Sequence, residues 1–125
     1  MASILIVEDD PDVRTLLGLC FLAEGHSVTA TQNGLEALLY LNHRPTDLVV
    51  TDLAMPEMDG LALLRHLRAN GYSHLPVIVL TGHPAERAAA LTAGADAFFT
   101  KPVPVADLLK TAMELMAGRR RKVHS

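Results

Sequence analysis

The chain contains a single cysteine, Cys20, so it cannot form an internal disulfide, and the disulfide framework of a small secreted domain is excluded. One lone thiol suits a reducing compartment, and Cys20 is expected as a small buried apolar residue rather than a reactive group. No apolar run approaches the roughly 20 residues needed to cross a bilayer. The first residues lack the basic stretch and long apolar segment of a secretory signal. A cytoplasmic location with no membrane partner is therefore expected. The net charge is only -3 over 125 residues, so direct nucleic-acid binding is not expected either. Neither GxGxxG nor GxxxxGKS/T occurs, which excludes nucleotide folds built on those loops. There is no solenoid repeat and no low-complexity segment.

What is present suits one packed domain. Half of the residues are hydrophobic and a fifth are charged. Short apolar runs recur at Ile4–Val7, Ser27–Ala30, Leu48–Thr51, Val77–Leu80 and Ala97–Phe99. Three are rich in Val or Ile, as strands buried on both faces should be. Amphipathic stretches lie between them. Pro11–Glu24 carries Val13, Leu16, Leu17, Cys20 and Phe21 at helical spacing, and Gly25 ends it. Asn33–Asn42 opens with Asn33 and Glu36, spaced as in a capping box. Asp59–Asn70 aligns Leu61, Leu64 and Leu67 before Gly71. Pro84–Ala93 and Pro104–Ala117 begin at proline and stop at Gly94 and Gly118. Five βα repeats imply an α/β fold, a parallel sheet with helices on both faces. The flavodoxin-like strand order 2-1-3-4-5 is the common five-stranded solution, a three-layer (βα)5 sandwich. Residues 1–118 are expected to form the domain, and 119–125, which include the basic run "GRRRK" from Gly118 to Lys122, a tail or linker remnant.

In a parallel sheet all strands end along one edge, and ligands bind outside those ends. Glu8, Asp9 and Asp10 follow the first run, Asp52 the third, Thr81 and Gly82 the fourth, and Lys101 and Pro102 the fifth. Two carboxylates about 4 Å apart repel by about 4 kcal/mol at an effective dielectric of roughly 20. Clustered acids without Cys or His suit a hard cation, and Mg²⁺ needs only one or two carboxylates. A lysine and a threonine in the same crevice suit an anion. Together they suggest metal-assisted phosphoryl chemistry, with Asp52 as a carboxylate nucleophile. Asp10 and Asp12 fit better as acids at a helix start.

The stretches "ILIVEDD", "VVTDLAMPEMDG", "VIVLTG" and "FFTKP" closely resemble the receiver domains of two-component response regulators, from Ile4 to about Ala117. The resemblance implies that Asp52 accepts a phosphoryl group from a sensor histidine kinase or a histidine phosphotransfer protein. It implies that Asp9 binds Mg²⁺ directly, Glu8 through water, and Ala54 by its backbone carbonyl. Lys101 would pair with the phosphoryl oxygens, and Thr81 would move to hydrogen-bond them while Phe98 turns inward. Pro102 resembles the family's proline that often follows a cis peptide, and Pro56 and Gly60 the loop and helix start after the acceptor. The switched surface would be the face of the fourth helix, fifth strand and fifth helix, acting on an output protein or a missing output domain.

The chain departs from the family pattern at several points. Phe98 stands where tyrosine is commoner, and Gly82 where alanine is frequent, which should leave the pocket open. His83 reads as a solvent-facing residue at a helix start, or as a modulator of phosphoryl lifetime. Val103 replaces a frequent phenylalanine. Ala97 and Ala106 depart from the winged-helix subfamily, so its salt-bridged dimer is not expected; a monomer or weak phosphorylation-dependent dimer is. The other histidines are expected at the surface or in packing. A Mg²⁺-dependent phosphohydrolase of the haloacid-dehalogenase type is the alternative, but it needs a second aspartate where Ala54 stands. A flavodoxin would need a Ser/Thr/Gly-rich loop where the acids of the first run stand. A non-enzymatic switch is therefore expected, and a stand-alone receiver rather than the first domain of a longer regulator, because the chain begins like a natural N-terminus and ends without a clear linker.

Overall fold

The alternation of apolar runs and amphipathic stretches folds as five parallel strands and five helices. A computed structural model describes residues 1–55 and 57–118 and the backbone of 119–124. Pro56 and the side chains of the basic run beyond Gly118 lie outside the described residues. The elements are β1 (Ser3–Val7), α1 (Pro11–Ala23), β2 (Ser27–Thr31), α2 (Gly34–Leu41), β3 (Leu48–Asp52), α3 (Gly60–Ala69), β4 (Val77–Thr81), a 3₁₀ turn (Pro84–Glu86), α4 (Arg87–Thr92), β5 (Ala97–Thr100) and α5 (Val105–His124). The sheet order is β2-β1-β3-β4-β5, the expected flavodoxin-like arrangement, and every pairing is parallel.

Side chains alternate along each central strand and so build two cores. Leu5, Val7, Val49, Val77 and Val79 pack on one side with Ala37, Leu63, Leu64, Leu67 and Ala90 of α2, α3 and α4. Ile4, Ile6, Leu48, Val50, Ile78 and Leu80 pack on the other with Leu17, Phe21, Leu108 and Ala112 of α1 and α5. Each fully buried Val, Leu or Ile is worth about 1.5–3 kcal/mol relative to exposure. That burial fixes the register that brings the strand ends together.

Local signals set the helix boundaries. Asp10, Asn33 and Asp59 are the N-caps of α1, α2 and α3, each accepting from a backbone N–H two or three residues on. Gly25, Gly71 and Gly94 adopt φ of 87°, 92° and 112° and end their helices as the sequence predicts.

Five details differ from expectation. β2 to β5 each run one residue further than the apolar pattern, so Asp52 and Thr81 close their strands, paired with Leu80 and Thr100. Leu16 is 55% exposed, because Leu17, Gly18 and Phe21 take the inner face of α1. Cys20 is half-buried. Pro84 opens a 3₁₀ turn rather than α4 itself. Finally, α5 continues through Gly118 to His124. A glycine stops a helix when it enters the left-handed region, and Gly118 is not among the positive-φ glycines.

One unpredicted contact holds a corner of the fold. The Arg68 guanidinium of α3 donates to the carbonyls of Tyr72, Leu75 and Gly94 and to the Asp96 carboxylate. It supplies donors to loop carbonyls, of which that of Tyr72 also accepts from the Leu75 N–H at 3.4 Å.

Gly60 is required for close approach. A Cβ there would overlap the carbonyl oxygen of Asp52, and the Gly60 N–H donates to the Leu53 carbonyl at 2.9 Å. A Cβ at Gly82 would meet nothing within 4 Å. Gly60→Ala is therefore expected to cost about 2 kcal/mol through overpacking. Gly82→Ala should be neutral or stabilise by up to about 1 kcal/mol. Urea denaturation of the two variants beside the wild type measures the contrast; equal midpoints for both would contradict it.

Candidate phosphoryl and metal site

The C-terminal ends of β1, β3, β4 and β5 place four groups in one crevice. Glu8 follows β1 directly, and its N–H donates to the Thr31 carbonyl at 3.0 Å, which ties the acid loop to β2. Asp52 is the last residue of β3 and is 8% exposed. The carboxylates of Glu8, Asp9 and Asp52 offer oxygens that all lie within 4.8 Å of one another. Glu8 and Asp52 are buried while Asp9 is exposed, so the cluster opens to solvent on one side. These all-oxygen donors suit a hard cation, and the acidic cluster can hold a metal ion.

Lys101 offsets the repulsion. From the end of β5 its Nζ donates to Glu8 Oε1 at 2.6 Å and to Asp52 Oδ2 at 3.1 Å. The other Asp52 oxygen, Oδ1, accepts from the Leu53 N–H at 2.7 Å. Burial pushes the Glu8 carboxyl up to about 7; the Lys101 hydrogen bond pulls it down and the Asp52 charge raises it again. Burial alone would lower Lys101, but its hydrogen bonds to Glu8 and Asp52 and their charges outweigh it, and the ammonium is held above its ordinary value.

The remaining expected residues are placed as follows. Asp10 caps α1 and Asp12 sits in its first turn, so both serve the helix start. Ala54 is exposed two residues past Asp52, while Met55 and Met58 of the same loop pack against the core. The Lys101–Pro102 peptide is cis. Gly82 and His83 are exposed at the crevice rim. Phe98 is buried, and the Arg87 guanidinium lies 5.8 Å from its ring centroid. Thr81 is 1% exposed, and its hydroxyl donates to Glu86 Oε1 at 2.9 Å.

Three contributors escaped the sequence reading. Arg14 donates to the Glu8 carbonyl at 2.9 Å and bears on the Asp9 carbonyl at 3.4 Å, bracing the acid loop. Glu86 holds Thr81, and Arg87 covers Phe98. Arg14 and Arg87 read as ordinary helix-surface charges, and Glu86 as an acid in a helix's first turn. No spacing rule marks any of them.

The Glu8 shift makes the site pH-dependent. A carboxyl whose folded value of about 7 lies above its unfolded 4.5 stabilises the fold below 4.5, and that contribution is lost as pH rises to 7. In the metal-free protein, thermal midpoints should fall between about pH 5 and pH 7.5, and the Glu8→Gln variant should show a flatter profile. Parallel profiles for the two proteins would contradict this assignment.

Known proteins share this fold and are similar in sequence. The response regulator receiver domain model matches residues 4–113. Response regulator MprA of Mycobacterium sp. (strain KMS) is 44% identical over 116 residues, covering 90% of this chain and 50% of MprA. The chain spans about half or less of the length of the first curated relatives it matches. The signal receiver domain of a signal transduction histidine kinase from Syntrophus aciditrophicus superposes with a TM-score of 0.88 at 36% identity, covering 94% of this chain and 92% of that one. The receiver domain of sensor histidine kinase PA1611 from Pseudomonas aeruginosa PAO1, with a magnesium ion coordinated in its active-site cleft, gives 0.85 at 27% identity, covering 93% and 98%. With the crevice, the fold and these matches in agreement, the chain belongs to the response regulator receiver domains, the phosphoryl-accepting switches of two-component signalling.

Proposed function

We propose that Asp52 is the phosphoacceptor and that Glu8, Asp9, Asp52 and the Ala54 carbonyl hold Mg²⁺ beside it. The observation that carries this is the placement of Asp52: a mostly buried carboxylate at the end of a central strand, between two further acids and the Lys101 ammonium. An Asp52 oxygen attacks the phosphorus of a phosphohistidine on a sensor kinase or phosphotransfer protein. An O–P bond forms, the N–P bond breaks, and its electron pair stays on the imidazole. Lys101 then turns from the Asp52 carboxylate toward the phosphoryl oxygens, where its fixed positive charge offsets the added negative charge. Bound Mg²⁺ supplies the rest of that neutralisation. Pro102 and Gly82, in loops, and Gly60, at the start of α3, support this pocket.

Thr81 donates its hydroxyl proton to the phosphoryl group, and Phe98 follows on the neighbouring strand. The altered surface is the α4–β5–α5 face, read by an output protein or an attached output domain. The chain thus holds a phosphoryl group and loses it slowly rather than turning over substrate. Residues 1–118 form the working domain, and its last helix, α5, runs on into the basic segment 119–124. A cytoplasmic setting fits this role, and among the described residues no helix is long and apolar enough to cross a membrane.

Acetyl phosphate with Mg²⁺ should add one phosphoryl group to the wild type by intact mass and none to Asp52→Asn. Equal labelling of both proteins, or none of the wild type, would refute the assignment. Millimolar Mg²⁺ alone should raise the melting temperature, because a ligand bound to the folded state stabilises it; an unchanged melting curve would speak against the cation site.

A further inference from the structure

The Thr81 hydroxyl is already committed. It has one proton to give, and it gives it to Glu86 Oε1 at 2.9 Å while accepting from the His83 N–H at 3.2 Å. It can hydrogen-bond a phosphoryl oxygen only by releasing Glu86. Glu86 closes the 3₁₀ turn and stands at the N-cap position of α4, yet its side chain makes no capping bond there. Among the described residues its carboxylate is in no ion pair. The next residue, Arg87, covers the Phe98 ring. Two adjacent residues at the start of α4 therefore hold the two residues proposed to move when Asp52 is phosphorylated.

We infer that Glu86 is a latch: it competes with the phosphoryl group for the single Thr81 proton, and so holds α4 at rest and sets how readily the chain switches. The inference rests on the acceptor reading of Asp52. Glu86 touches neither donor nor phosphoryl group and acts through Thr81, as a positioning residue. When Thr81 turns toward Asp52, the 3₁₀ turn loses its tether to β4, which couples the pocket to the α4 face. A carboxylate is a stronger acceptor than a neutral amide, so the charge of Glu86 sets the strength of the latch.

The test is the affinity of the full chain for beryllofluoride, a phosphoryl mimic, with Mg²⁺, followed by fluorine NMR. Asp52→Asn should bind none. Glu86→Ala should bind about fivefold more tightly than wild type, the equivalent of one net hydrogen bond no longer broken on switching. Glu86→Gln keeps length and shape and should show a smaller gain in the same direction, which decides the matter if the alanine variant unfolds α4. Mere structural damage would weaken binding, not tighten it. In a Thr81→Val background, Glu86→Ala should change nothing. Unchanged or weaker binding by both Glu86 variants, or an equal gain without the Thr81 hydroxyl, would overturn the latch and leave the acceptor reading intact. A wild type that binds no beryllofluoride would remove the acceptor reading and the latch with it.

Discussion

Lys101 places one ammonium between the buried carboxylates of Glu8 and Asp52, and the rest of the site is organised around that bridge. Without it, two largely desolvated acids would face each other at the ends of adjacent strands β1 and β3. Breaking a buried pair by removing one partner commonly costs about 3–5 kcal/mol, because the remaining charge is left uncompensated. The bridge spans 93 residues of sequence to Glu8 and 49 to Asp52, so it exists only when β1, β3 and β5 are all in place. The charge balance is incomplete: one lysine serves both Glu8 and Asp52, Asp9 lies beside them, and Glu8 remains shifted upward. A cation bound there would relieve that surplus of negative charge.

The scaffold gives the cluster little freedom. Asp52 is gripped from three sides: by Leu53 N–H on Oδ1, by Lys101 on Oδ2, and by Gly60 packed against its own carbonyl. The acid loop is tied by Glu8 N–H to Thr31 and by Arg14 from α1. Change is left to the β4–α4 side. There α4 has six residues, its start lacks a side-chain cap, and beside the buried Ala90 its contacts to β4 and β5 are made by Glu86 and Arg87. The tightly held Asp52 and the β4–α4 side, where Thr81 is tied to Glu86, thus occupy neighbouring strand ends.

Much of the fold was legible because its signals are local. Buried parallel strands write themselves as short Val/Ile runs, helix starts as the acid Asp10 and the capping box at Asn33, and stops as glycines in the left-handed region. Where reading failed, a tertiary constraint had overruled a local rule. Leu16 had the right spacing, but the inner face of α1 was taken by Leu17, Gly18 and Phe21. Gly118 looked like Gly94, but its backbone stayed helical. The gathering of Glu8, Asp9, Asp52 and Lys101 was legible because topology alone brings strand ends to one edge. Arg14, Glu86 and Arg87 were not, because each acts through a side-chain direction that no periodicity encodes.

The sequence by itself therefore determined the class of fold, the edge at which the acids and the lysine meet, and the residue types gathered there. It could do so because alternation and capping act over a few residues, and because parallel topology makes the position after each strand meaningful. The tertiary structure decided how the charges are shared. It paired Lys101 with both Glu8 and Asp52, raised Glu8 by burying it, and turned the Thr81 proton toward Glu86. Those outcomes depend on distances between elements far apart in the chain, where a shift of an ångström changes which partner a single proton or ammonium serves.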